Sequence, residues 1–168
     1  MQKIELKLQI GDNIVHFAHG IGTVKGISRK KIQGEKHAFY RVKTNRLIYW
    51  IPIDNSNTDR IRPVRAPSTF ISALLEIRKK PKELNNNFRL RVKHINDELA
   101  KCALIANARL IRDLHARNMN KPLHINENRT FEKIKEQFIN EWSVSANISK
   151  AEAGKRLFDA LLESIRRI

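Results

Sequence analysis

The stretch Gly11 to Val24 (Gly-Asp-Asn-Ile-Val-His-Phe-Ala-His-Gly-Ile-Gly-Thr-Val) constrains the fold of this chain more than any other. It predicts two short strands joined by a tight His19-Gly20 corner. Gly20 and Gly22 admit backbone angles that a side chain forbids. A Gly-Asp turn, a short apolar strand, a Gly-x-Gly corner and a second strand together begin a small, bent β-barrel. Such barrels serve as docking modules more often than as catalysts.

The residues around this stretch extend the strand pattern. Ile4, Leu6, Leu8 and Ile10 alternate with polar residues and predict a strand ahead of the Gly11-Asp12 turn. Ile21 to Ile27 continues the second run, with a bulge or bend at Gly26. Gln33-Gly34 signals a hairpin. His37 to Lys43 and Arg46 to Ile51 follow, turned at Thr44-Asn45, and Pro52 closes the last strand because it has no N–H to donate. Asp54 to Pro67 reads as a polar linker. Beyond it the period becomes helical. Ser68 is a candidate N-cap for a helix over Thr69 to Lys80 that Pro81 stops. Val92, Ile95, Leu99 and Cys102 form one stripe of a helix starting at Asn87 or Phe88. Ile105, Ala108, Ile111 and Leu114 form a second stripe, interrupted at Asn118 to Pro122, and Phe131, Ile134, Phe138 and Trp142 a third. Ser149 to Glu152 has capping-box form and opens a last helix with Phe158, Leu161, Leu162 and Ile165 inward. The fold class is therefore α+β: an N-terminal five-stranded SH3/Tudor-like β-barrel over residues 1–66, then an all-α bundle of four or five helices over 67–168.

Composition narrows the function. The 168 residues fit one domain or two small ones, with 41% apolar residues for cores and 30% charged residues for solubility. No apolar run approaches a bilayer's span, and Met1 to Lys7 lacks a signal-peptide core, so a cytoplasmic protein is expected. The single Cys102 excludes an internal disulfide framework. The net charge of +16 splits evenly: 13 Lys and Arg against 5 Asp and Glu in residues 1–66, and 20 against 12 in the remainder. A field of that sign favours a polyanionic partner, nucleic acid or an assembly containing it.

Catalytic constellations are missing. His16 and His19 stand three apart in a turn without a second ligand pair, so they read as corner histidines and no metal or cofactor is expected. Neither a phosphate-binding Gly-x4-Gly-Lys loop nor a nucleophile elbow occurs. Glu132, Lys133, Lys135 and Glu136 read as solvated helix-face pairs. Nucleic-acid features are better. Asn87-Phe88-Arg89-Leu90-Arg91-Val92-Lys93 places an aromatic at the head of a helix whose first turns are cationic. Phe88 is either a wedge against a base step or a packed helix staple. Two further basic clusters are Arg109, Arg112 and Arg117, and Arg129 with Lys133. On the barrel, Lys25, Arg29, Lys30 and Lys31 crowd one hairpin arm. Tyr49 and Trp50 point to opposite faces of the last strand, so one belongs to the core and the other is exposed on an edge suited to pairing with a partner's strand.

In order along nearly the whole chain, these features resemble the CarD/CdnL family of bacterial transcription regulators. The resemblance lies in Gly11-Asp12, Ile14-Val15, His19-Gly20-x-Gly22, the Ile32-x-Gly34 turn and the Ile51-Pro52 strand end. It continues in Asn87-Phe88 with Arg91 and Lys93, and in Leu110-Ile111-Arg112-Asp113-Leu114. It implies a Tudor-like domain that docks on the RNA polymerase β subunit, partly by strand pairing. It also implies a helical domain that reaches promoter DNA at the upstream edge of the bubble and keeps it open. On this chain it assigns the wedge to Phe88, backbone contact to Arg91 and Lys93, and polymerase contact to Lys30. With the basic clusters and edge strand above, the expected DNA contacts are Phe88, Arg89, Arg91, Lys93, Arg129 and Lys133 and the expected polymerase contacts Arg29, Lys30, Tyr49 and Trp50, in a monomer with no membrane partner.

Several positions depart from the family pattern. Phe88 replaces a tryptophan and so lacks its indole N–H. Trp50 stands where relatives can carry an arginine, and His16-Phe17 replaces a common Tyr-Pro. Asn128 stands where a lysine can occur, beside Arg129. The usual Gly break is missing around Ala100 to Ala103. The competing readings are a general basic nucleic-acid-binding protein without polymerase contact, and the barrel of a transcription–repair coupling factor. The lack of helicase motifs argues against the second.

Overall fold

The computed structural model describes residues 7–16, 19–32, 34–53 and 61–167. The chain divides into two compact units, Met1–Val64 and Arg65–Ile168.

The first unit is a five-stranded antiparallel sheet: β1 (Asn13–His16), β2 (Gly20–Ile32), β3 (Glu35–Lys43), β4 (Ile48–Pro52) and β5 (Ile61–Pro63), in the order β4-β3-β2-β1-β5. The two end strands do not pair with each other among the described residues, so the unit is barrel-like without a closed ladder. Its core is Ile14, Val24, Tyr40, Val42, Ile51 and Ile61. These are the inward positions of strands whose register sets Val24 opposite Val42 and Tyr40 opposite Ile51.

Two strand expectations change. Of the predicted first strand, Ile4 and Leu6 lie outside the described residues, and Lys7 to Ile10 form no strand. A turn wins there: the Asp12 carboxylate accepts from the Gln9 N–H at 2.8 Å, and the Gln9 carbonyl accepts from the Asp12 N–H at 3.1 Å. The fifth strand is instead β5, inside the expected linker. It pairs with β1, with Val15 opposite Arg62 and Ile14 opposite Pro63. Three residues ending in proline are too short to show alternation, and the missing N–H suits Pro63 to a sheet edge.

The glycine corner has two different causes. Gly20 adopts φ +71°, the left-handed region. Gly22 is needed for space: a Cβ there would stand 2.7 Å from Val42 Cγ1. The expected bulge at Gly26 is present as a register shift between Val24 and Gly26. Beyond Ser28 β2 and β3 run as a two-stranded arm, since β1 pairs only with Gly20–Thr23 of β2 and β4 only with Phe39–Lys43 of β3. The Thr44 turn is closed by its own hydroxyl, which accepts from the Arg46 and Leu47 N–H groups.

The second unit has five helices among the described residues: α1 (Pro67–Ile77), α2 (Phe88–Ala100), α3 (Leu104–Asn120), α4 (Ile125–Ala146) and α5 (Lys150–Ile165). Helix α3 touches all four others and is buried nearly all round. Phe70, Phe138 and Trp142 fill the centre, with ring centroids 5.4 to 6.0 Å apart. Each such ring contributes on the order of 2–3 kcal/mol by leaving water.

Boundaries shift where caps differ from expectation. Helix α1 begins at Pro67, not after Ser68, because proline's fixed φ suits the first helical position. It ends at Ile77, three residues short of Lys80. The α2 stripe ends at Leu99. Cys102 lies past the helix with φ +49°, the left-handed conformation that ends many helices and that glycine adopts most readily. Ser149 caps α5 by accepting from the Glu152 N–H at 3.0 Å, while the Glu152 carboxylate turns to Arg156. The inward face of α5 is Leu157, Ala160, Leu161 and Ser164, and Phe158 and Leu162 are exposed. Leu157/Leu161 and Phe158/Leu162 are neighbouring i,i+4 stripes of equal apolarity, so only packing against α1, α3 and α4 chooses between them.

Candidate functional site

In the helical unit the candidate site lies where the first turns of α2 and α4 meet. Asn87 caps α2: its side-chain oxygen accepts from the N–H groups of Arg89 (3.0 Å) and Leu90 (3.3 Å). Phe88 is therefore the first helical residue, and its side chain stays 40% exposed. Its ring lies against His124, with centroids 4.7 Å apart at 56°. His124 is the N-cap of α4: its Nδ1 accepts from the Asn126 N–H, and Glu127 Oε2 accepts from the His124 N–H at 2.9 Å.

Beneath Phe88 is a buried ion pair. Arg91 Nε and Nη2 donate to the two carboxylate oxygens of Glu127, and Nη1 donates to the carbonyls of Asn85 (2.7 Å) and Asn86 (3.2 Å). The two side chains are 6% and 1% exposed. Burial pushes the Glu127 carboxyl up. The Arg91 hydrogen bonds, the His124 N–H and the nearby arginine charges outweigh that and hold it below the usual carboxylate range.

Arg91, expected as a DNA-contacting cation, is thus placed differently: its guanidinium is sealed in and fully engaged. It braces the α2 head, with its Cζ 5.7 Å from the Phe88 ring centroid. Arg89 and Lys93 share the exposed outer face of α2, and Arg129 and Lys133 that of α4. No ion pair engages these four among the described residues. What joins the two helices is the Phe88–His124 contact and the Arg91–Glu127 pair, not the outer cations.

The third expected basic cluster dissolves into structure. Arg112 is buried and donates to Asp113 (2.7 Å) and to the Glu76 carbonyl (3.0 Å), while Asp113 also accepts from the Lys82 N–H. Arg109 binds Glu76, whose carboxyl is held low by its hydrogen bonds from Lys79 and Arg109. Arg117 reaches Asn86. The Arg112-Asp113 pair is therefore a clasp between α1, the following loop and α3. A second clasp, Arg65 with Glu141 and the Cys102 carbonyl, holds the start of the unit and the α2–α3 break.

On the barrel, Arg29 and Lys30 lie on the β2–β3 arm, opposite Ala38 and His37. With Lys31 and Lys36 they line an open groove of about 410 Å³. Lys30 Nζ stands 3.6 Å from the centroid of the Trp50 ring, a cation–π contact. Trp50 is 44% exposed, on the end strand β4, one edge of which carries no neighbour among the described residues. Tyr49, expected with it as a polymerase contact, faces the other way. Its ring packs near those of His16 (5.3 Å) and His19 (4.9 Å), and burial pushes its hydroxyl up to about 12. His16 and His19 stack at 4.4 Å, and the Nδ1 of His16 accepts from the His19 N–H. The departure at Phe17 lies outside the described residues.

Sequence reasoning missed His124, Glu127 and Glu141. For the first two a signal existed: His124-x-x-Glu127 is a capping box with histidine in the position serine usually takes.

The chain thus joins a barrel-like sheet that carries an exposed cation–π pair to a helical unit with an aromatic at a braced helix head. Residues 8–65 match the CarD-like/TRCF RID domain, an RNA polymerase-interacting domain, and residues 72–158 match the CarD C-terminal domain. The chain belongs to the CarD-like family of transcription factors, which are not enzymes. It is 28% identical over 150 residues to YdeB of Bacillus subtilis (strain 168), named as a candidate transcription factor. That alignment covers 86% of this chain and 95% of YdeB. No helix among the described residues is long and apolar enough to cross a membrane.

Proposed function

We propose that the barrel docks on the β subunit of RNA polymerase and that the helical unit contacts promoter DNA at the upstream edge of the melted region, stabilising the open complex. The observation that carries this reading is Phe88. An apolar ring is held out at the first residue of a helix, on top of a buried ion pair, in a chain of net charge +16. A rigid apolar wedge opens a base step in the minor groove at a cost of a few kcal/mol, which bound cations offset. Arg89, Lys93, Arg129 and Lys133 are the phosphate contacts, and they fix position rather than read sequence. Arg91 acts through Phe88 as a positioning residue.

On the barrel, the β4 edge offers main-chain groups for strand addition, and Arg29, Lys30 and Trp50 flank it. Tyr49 holds the opposite face. Docking raises the local concentration of the helical unit at one DNA site, so weak DNA contacts suffice. The open complex gains only the difference in affinity between open and closed promoter. This work belongs in the cytoplasm, at the nucleoid, and needs one copy of the chain.

The test is co-purification with RNA polymerase followed by an open-complex lifetime assay. Phe88→Ala is expected to shorten the lifetime by about tenfold, equivalent to ~1.4 kcal/mol, while polymerase binding is unchanged. An unaltered lifetime removes Phe88 from the DNA face. Lys30→Glu is expected to weaken polymerase binding by about tenfold at low salt, with a smaller loss at high salt. Equal affinity at both would place the polymerase on another surface. A chain that binds DNA yet never co-purifies with polymerase is a general nucleic-acid-binding protein instead.

A further inference from the structure

We infer that His124 is a second DNA-contacting residue of this site, donating a hydrogen bond from Nε2 to a minor-groove base acceptor beside the step that Phe88 enters. The inference rests on the reading of Phe88 as the DNA-facing wedge.

Three observations carry it. First, the two rings form one exposed surface, with centroids 4.7 Å apart. Whatever reaches the Phe88 ring also meets His124, whose side chain is exposed. Second, the cap fixes the imidazole chemistry. His124 Nδ1 accepts the Asn126 N–H (3.4 Å), so in the neutral ring the proton resides on Nε2. Nε2–H is then a donor that no group engages among the described residues. Third, the residue is anchored from below. The His124 main-chain N–H is held by Glu127, which is itself locked to Arg91, so wedge and donor stand on the same buried pair.

The chemistry of the groove matches. A benzyl ring makes no hydrogen bond, so Phe88 alone leaves the polar floor of an opened step unpaired. That floor presents acceptors at every base pair, purine N3 and pyrimidine O2. A single N–H donor beside the ring satisfies one of them, the adenine N3 of an A·T pair, and costs little reorganisation, because the cap already orients it. It also favours A·T steps, where the guanine amino group does not obstruct the donor.

The test uses the full chain and a fork-junction duplex with A·T pairs at the junction, read by fluorescence anisotropy. His124→Ser keeps an N-cap acceptor but removes the ring donor. It is expected to bind about 3- to 10-fold more weakly. His124→Asn keeps a cap acceptor and carries an N–H donor, and is expected to recover most of that loss. Replacing the junction adenines by 3-deazaadenine removes the N3 acceptor, and wild type and His124→Ser should then bind alike. The inference is overturned if His124→Ser binds like wild type, if His124→Asn is as weak as His124→Ser, or if the gap persists on the 3-deaza duplex. Phe88→Ala, run in parallel, separates the two readings. Loss with Phe88→Ala but not with His124→Ser sinks only the inference. No loss with Phe88→Ala sinks the wedge itself.

Discussion

Arg91→Ala is expected to destabilise the helical unit by about 3–5 kcal/mol, as removing one partner of a buried ion pair does. The size follows from what remains. Glu127 is 1% exposed and would keep a buried charge without the guanidinium that hydrogen-bonds both its oxygens. The carbonyls of Asn85 and Asn86 would lose their donor as well. The double change Arg91→Ala/Glu127→Ala should cost clearly less than the sum of the single changes, because no orphaned charge is left. Chemical denaturation of the four proteins measures this, and additive losses would mean that the pair is not coupled.

The same pair sets an acid limit. The folded Glu127 pKa lies below its unfolded value, so its contribution is complete above the ordinary carboxylate pKa and is lost as pH falls through the depressed folded value. Wild type should therefore lose stability on acidification below about pH 4, and Arg91→Ala should lose less over that range. Its functional consequence follows from geometry. With the brace gone, the head of α2 frays, and Phe88 loses its fixed position even where the unit stays folded.

The second large effect is expected at Gly22→Ala, which should destabilise the barrel by about 1–3 kcal/mol through overpacking. The added methyl would stand 2.7 Å from Val42 Cγ1, 3.2 Å from the Lys43 carbonyl and 3.3 Å from Thr44 Cγ2. Val42 is fully buried, so its side chain has no room to turn away. Relief requires β2 and β3 to part at the base of the arm that carries Lys30. Amide hydrogen exchange at Val24 and Val42 should quicken. Undiminished protection would mean that the strands absorb the methyl. Gly20→Ala should cost about 1–2 kcal/mol for a different reason, its positive φ.

The two glycines illustrate what one chain of letters conveys. Their presence marks a corner, but whether glycine is needed for its angle or for its missing side chain depends on Val42, twenty residues away. Element type was legible wherever the pattern was local: the Gly26 bulge, the Thr44 turn, the helix start at Asn87 or Phe88 and the Phe131-to-Trp142 stripe all stand where spacing put them. Short or locally ambiguous features were not. β5 has three residues and shows itself only as a partner for β1. The α5 face turned by one position because two leucine-bearing stripes lie side by side.

The candidate site divides in the same way. An aromatic at the head of a basic helix is written in Asn87-Phe88-Arg89, and the charge of +16 favours a polyanionic partner. Which arginine faces out is not written there. Arg89 and Arg91 look alike in a cationic run. Only one of them finds a carboxylate 36 positions later, and burial makes that pair worth keeping. Arg112 and Arg65 were claimed in the same way, by Asp113 and Glu76 in one case and by Glu141, 76 positions away, in the other. By itself the sequence determined the strands-then-helices order, the two-part layout and an aromatic at the head of a basic helix, because backbone preference and periodicity act within a few residues. The tertiary structure alone decided which cations brace and which reach out, because a charge stays buried only where a distant partner and its hydrogen bonds are already in place.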